Sequence, residues 1–172
     1  MNVDLLTAAI AAYFRGERHE MYAILAGSVG LVLAAAALHA VARDGFSRGF
    51  GVAALVLAAV LGATAVSLLR RDPPHQASLE AGLQGTDASR VLAAEAARME
   101  EVIRNYPYYR WAALGLGLAA LAAAAATRRG WVAGAAAGVL LLVVAQLTID
   151  HYSEARARRY VAQLGEAVTG RP

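Results

Sequence analysis

Uncharged apolar residues are gathered into four long runs, Met21–Val41, Phe50–Leu69, Trp111–Thr127 and Trp131–Ile149. Each is close to the roughly 20 residues that a bilayer crossing requires. The third is the shortest, and Tyr106 to Tyr109 extend it into the interface. Backbone in hydrocarbon must satisfy its own hydrogen bonds, so the runs predict four transmembrane helices. Four such stretches in one chain argue against buried helices of a soluble protein.

The connections define the topology. Runs one and two are joined by residues 42–49, with Arg43, Asp44, Gly45 and Arg48, and runs three and four by Arg128-Arg129-Gly130. Both read as tight helical hairpins, which puts both termini and the long connection from Arg70 to Arg110 on one side. There the pattern turns amphipathic, with apolar stripes at Val3, Leu6, Ile10 and Tyr13, at Leu92, Ala96, Met99 and Ile103, and at Ala157, Val161 and Leu164. This spacing of three and four predicts extramembrane helices over about 2–20, 87–105 and 150–166. Asp87 reads as an N-cap. Residues 71–86, with Pro73, Pro74, Gly82 and Gly85, read as a loop. Pro107 either opens the third membrane helix or kinks a longer one. The expected fold is all-α: an integral membrane four-helix bundle of two hairpins in a single domain, 1–172, with a helical extension on the side of both termini.

Composition agrees. The 172 residues are 59% hydrophobic and 17% charged, too apolar for an ordinary soluble domain. Absence of cysteine excludes disulfides, thiolate catalysis and Cys-ligated metals. All 16 basic residues are arginine, which with the Ala, Gly and Val content suggests a GC-rich, bacterial coding sequence. Charged residues before the first run argue against a cleaved signal peptide. Tyr13, Phe14, Tyr22, Tyr108, Tyr109 and Trp111 on one side, and Phe46, Phe50 and Trp131 on the other, suit headgroup depth. Only Arg43, Arg48, Arg128 and Arg129 lie in the hairpin turns, so the arginine count favours cytoplasmic termini, in a bacterial inner membrane. Tyr13-Phe14-Arg15 and Tyr108-Tyr109-Arg110 precede the two hairpins as a faint echo, which the general enrichment of such residues at interfaces explains better than duplication does.

Candidate chemistry is sparse. Ionisable groups at the ends of the apolar runs are His39 and Asp150, and intramembrane charge is functional by default. Asp150 belongs to a stripe of residues four apart, Gln146, Asp150, Glu154 and Arg158, that climbs out of the membrane on one helix face. Glu17 with Glu20, and Glu101 with Asn105, face the same layer from other helices. These eight residues are the candidate ligand-binding or network set, read first as an Arg–carboxylate network. No cofactor is called for. The alternative is a divalent metal in a carboxylate cage at Glu17, Glu20, Asp150, His151 and Glu154, although His151-Tyr152-Ser153-Glu154 reverses the Glu-x-x-His order of bundle metal sites. Asp150, His151 and Ser153 point apart on one helix and cannot form a catalytic relay. No phosphate-binding loop is present, so neither nucleotide nor nucleic acid is expected.

Gly134 and Gly138 form a GxxxG pair inside the fourth run, a helix-packing signal. It serves either an intramolecular interface or a homodimer. The expected function is a binding or assembly module without catalytic residues, using the charged juxtamembrane cap, with the bilayer and either a second copy or a membrane protein as partners. A metal-dependent membrane enzyme and a small oligomeric transporter or channel are the competing readings.

Overall fold

The computed structural model describes residues 3–169, with side chains up to Glu166. Residue 2, where the first expected helix begins, and Arg171, one of the counted arginines, lie outside that range. Four helices account for nearly all of it: α1 Val3–Ala42, α2 Gly45–Leu83, α3 Ala88–Ala126 and α4 Gly130–Thr169. Each has 39 or 40 residues and is therefore about 60 Å long. That is twice the hydrocarbon thickness of a bilayer. All four are long and apolar enough to cross a membrane. The first, third and fourth predicted spans each form one continuous rod with the neighbouring extramembrane helix. Half of each rod is membrane-spanning and half belongs to a cap.

One expectation fails. Residues 71–83, read as loop, are the last turns of α2, and Pro73 and Pro74 sit inside the helix. They remove the amide hydrogens that would bond the carbonyls of Leu69 and Arg70, a loss normally worth about 3 kcal/mol or more per proline. Tertiary packing offsets it, because Leu79 and Leu83 beyond the prolines are buried in the cap. Local propensity yields to that burial. Pro107 likewise lies within an unbroken α3. Asp87 precedes α3 but makes no side-chain capping bond. The cap that does form is Asp44, whose carboxylate accepts from the Ser47 N–H at 2.8 Å while the Asp44 N–H donates to Ser47 Oγ at 3.2 Å. This reciprocal box starts α2 immediately after Arg43, which turns the chain at φ 50°.

In cross-section the helices form a rhombus. α2 and α4 pack together along the short diagonal, α1 and α3 lie on opposite sides of that pair, and the α1 and α3 backbones do not approach one another. The α2–α4 contact begins at the hairpin end, where Gly45, Gly49 and Ala53 on α2 face Gly130, Gly134 and Gly138 on α4. A Cβ on Gly49 would overlap the Trp131 carbonyl, and one on Gly134 would overlap the Phe46 carbonyl. The backbones of two parallel helices therefore touch, which small residues four apart permit.

The two halves of the bundle are packed differently. Buried positions in the membrane half are mainly small, including Ser28, Ala35, Ala54, Ala65, Ala113 and Ala120, while Leu33, Val52, Val60, Trp111, Leu118 and Trp131 face outward. The cap holds the large side chains: Leu6, Ile10, Tyr13 and Phe14 of α1, Leu79 and Leu83 of α2, Leu92 and Met99 of α3, and Ala157, Tyr160 and Leu164 of α4 form one cluster. Three of these groups are the stripes read from sequence. The fourth comes from the stretch read as loop.

Candidate functional site

A cavity of about 400 Å³ opens where the membrane half meets the cap. All four helices contribute to its wall. Leu61, Leu68, Ile24 and Ile149 line its membrane side, whereas Glu17, Glu20, Arg71, Arg98, Asn105, Gln146 and Asp150 make the rest polar. Three tyrosines, Tyr13, Tyr106 and Tyr109, stand among them.

The stripe on α4 and the pair on α1 converge here. Asp150 is only 4% exposed and its Oδ1 accepts from Gln146 Nε2 at 2.7 Å, but its Oδ2 is buried without any partner among the described residues. Glu17 accepts from the Tyr13 hydroxyl at 2.8 Å and has no arginine within ion-pair distance among the described residues. Burial, reinforced by the nearby Asp72 carboxylate, pushes Glu17 above the ordinary range for glutamate. Glu20, by contrast, pairs with Arg156 at 2.7 Å and accepts from the Ser153 hydroxyl. Glu154 is bound by Arg110 and, at 2.6 Å, by Arg158; the Arg158 hydrogen bonds are the chief reason its carboxyl is held below the usual value. These four carboxylates thus divide into Glu20 and Glu154, which have arginine partners, and Glu17 and Asp150, which have none among the described residues.

The cations lining the cavity are already engaged. Arg71 bonds Asp72 at 3.0 Å, and Arg98 bonds both Glu95 oxygens at 2.7 and 2.8 Å. Glu95, 2% exposed, also contacts His75 at 3.2 Å and accepts from the Tyr160 hydroxyl at 3.3 Å. Tyr160 stacks on Tyr13 with ring centroids 4.5 Å apart. Burial raises both phenols above their usual range and pushes Tyr106 up to about 12, so all three stay neutral at physiological pH. Asp72, Glu95, Arg98, Arg110, Arg156 and Tyr160 were not singled out from sequence. Glu95 could have been, for it falls between Leu92 and Met99 at the spacing of a core position.

Other expectations do not meet at this place. Glu101 is exposed and lies outside the cavity wall, although Asn105 on the same helix is part of it. His151 is exposed, and among the described residues no three His, Asp or Glu side chains gather as a metal ion would require. His39 meets Ser47 Oγ at 3.0 Å, tying the end of α1 to the start of α2. Gly134 and Gly138 face α2 of the same chain. The chain matches no protein-family profile, no curated protein and no solved structure.

Proposed function

We propose that the protein is a non-enzymatic membrane binding module that takes up a small ligand in the junction cavity. The observation that carries this reading is the Asp150 carboxylate, almost fully buried and lining the cavity with one oxygen unpartnered. A buried acceptor left unsatisfied costs about 1–3 kcal/mol, a cost that a ligand's donor removes. Two Arg–carboxylate pairs cross between helices beside the opening, Arg110–Glu154 from α3 to α4 and Arg156–Glu20 from α4 to α1. The cavity volume lies within the roughly 300–1,000 Å³ of ligand sites.

The test is thermal unfolding of the detergent-solubilised chain against a panel of organic cations, anions and neutral amphiphiles. At least one class should raise Tm by several degrees, since a ligand at 100 times its Kd adds about 2.7 kcal/mol to the native state. Val102→Trp, which places an indole in the cavity from its α3 wall, should abolish that rise. A panel without effect on the wild type would count against the reading.

We place the termini and the cap in the cytoplasm of a bacterial inner membrane. Support comes from the arginine count, four of 16 lying in the two hairpin turns. Because the chain has no cysteine, single cysteines can be placed at will. One at Glu100 should resist a membrane-impermeant maleimide in intact cells while one at Arg129 reacts. The reverse pattern would invert the topology.

A further inference from the structure

A second groove, of about 300 Å³, lies beside the junction cavity in the membrane half between α1, α2 and α4, and Glu20, Ile24, Leu61 and Ile149 line both. Beyond Glu20 the groove is lined by Ala23, Gly27, Leu31, Leu141, Leu142 and Ala145, with Ser28 as its one hydroxyl. Glu20 to Leu31 covers roughly 16 Å of helix at 1.5 Å per residue. Taken together, the two adjoining spaces are polar and aromatic at one end and apolar at the other. That is the shape of a single-chain amphiphile.

Charge decides which headgroup fits. Arg71 and Arg98 in the wall are held by Asp72 and Glu95, and Arg156 behind it is held by Glu20. The wall groups without an ionic partner among the described residues are Glu17 and Asp150, both acceptors when ionised. An anionic head would face these carboxylates and would have to break existing arginine pairs. An ammonium head supplies the counter-charge that Glu17 and Asp150 lack, and Tyr106 and Tyr109 add aromatic rings beside it, of the kind on which ammonium groups are held.

We infer that the binding site takes a single-chain amphiphile with an ammonium headgroup, its head at Asp150 and Glu17 beside Tyr106 and Tyr109 and its chain along the Gly27–Leu31 groove. The inference rests on the binding reading above and names its ligand class. The head neutralises the pair of unpaired carboxylates at the cap side, while the chain covers the slot that α1 leaves open toward the bilayer.

The test is equilibrium binding of labelled dodecyltrimethylammonium, below its micelle concentration, to the full chain in lipid nanodiscs, with empty nanodiscs subtracted. Saturable binding with one site per chain is expected. Tetramethylammonium, which has the head alone, should compete about 100-fold more weakly, and dodecanoate, which has the chain and a negative head, should not compete. Asp150→Asn should weaken binding at least about 30-fold, as loss of a buried charge partner does, and Glu17→Gln severalfold. Gly27→Phe separates binding from folding, because a Cβ at Gly27 meets nothing within 4 Å and the ring occupies only the groove. It should leave Tm unchanged, abolish dodecyltrimethylammonium binding and spare the weak tetramethylammonium site. Absence of saturable binding, or unchanged affinity in Asp150→Asn and Gly27→Phe, would overturn the inference. Dodecanoate competing in a Gly27-dependent manner would overturn the ammonium assignment and leave the binding module standing, whereas a panel that never shifts Tm removes both.

Discussion

Gly134→Ala is expected to lower the stability of the bundle by about 3 kcal/mol, the upper part of the range for overpacking a filled interior. The added methyl would overlap the Phe46 carbonyl, and neither that oxygen nor the Phe50 amide beside it can swing away as a side-chain terminus could. The helices must separate, and separation also loosens the close approaches of Gly49 to Trp131 and of Gly138 to the Ala53 methyl. Gly49→Ala, the reciprocal change, should cost a similar amount. The double substitution should cost clearly less than the sum, because one displacement makes room for both methyls and contacting sites do not add. Gly115→Ala is the control: nothing stands within 4 Å, so the change should be neutral or slightly stabilising through helix propensity. Thermal unfolding in detergent reads all four. An unchanged Tm for Gly134→Ala would mean that α2 and α4 do not touch as described.

This contact bears on what the sequence could disclose. GxxxG at Gly134 and Gly138 was visible, but its partner was not, since the matching positions Gly45, Gly49 and Ala53 lie 85 residues earlier and only the fold pairs them. The four spans were legible because a bilayer demands a fixed length of apolar helix. The cap stripes at Leu6, Ile10 and Tyr13, at Leu92 and Met99, and at Ala157 and Leu164 were legible because they repeat every three or four residues. The end of α2 was not, since Pro73 and Pro74 signal a break that the burial of Leu79 and Leu83 overrides.

The polar site was half legible for a related reason. Glu17 and Glu20 continue the Leu6–Ile10–Tyr13 seam at intervals of four and three, and Asp150 and Glu154 continue the Ala157–Leu164 seam, so helical spacing alone turns them inward. Their pairing was not readable: which carboxylates meet an arginine depends on α3 contributing Arg110 and α4 contributing Arg156 across the bundle. Glu101 has the same local look as Glu17 but lies off the seam of α3, and it is exposed.

The second large effect is expected at Glu95. It lies in the cap core with Arg98, His75 and Tyr160 all directed at its two oxygens. Glu95→Ala removes the shared acceptor, leaving the Tyr160 hydroxyl buried and the Arg98 guanidinium without its partner. Breaking a buried ion pair from one side costs about 3–5 kcal/mol, but Arg98 is 31% exposed and recovers some hydration, so the low end applies. About 3 kcal/mol corresponds to a fall in Tm of roughly 6–12 °C for a chain of this size. Glu95→Gln keeps the shape and one acceptor and should lose about half as much. Replacing Glu95 and Arg98 together by leucine removes both charges at once and should cost less than Glu95→Ala alone, since well-packed apolar side chains substitute for a buried pair at little loss. If the double variant were instead the least stable, the stabilisation would reside in the charges themselves and not in the avoidance of an unpaired one. In either case the junction cavity should lose its shape with Glu95→Ala, because Arg98 forms part of its wall and Tyr160 supports Tyr13 from behind.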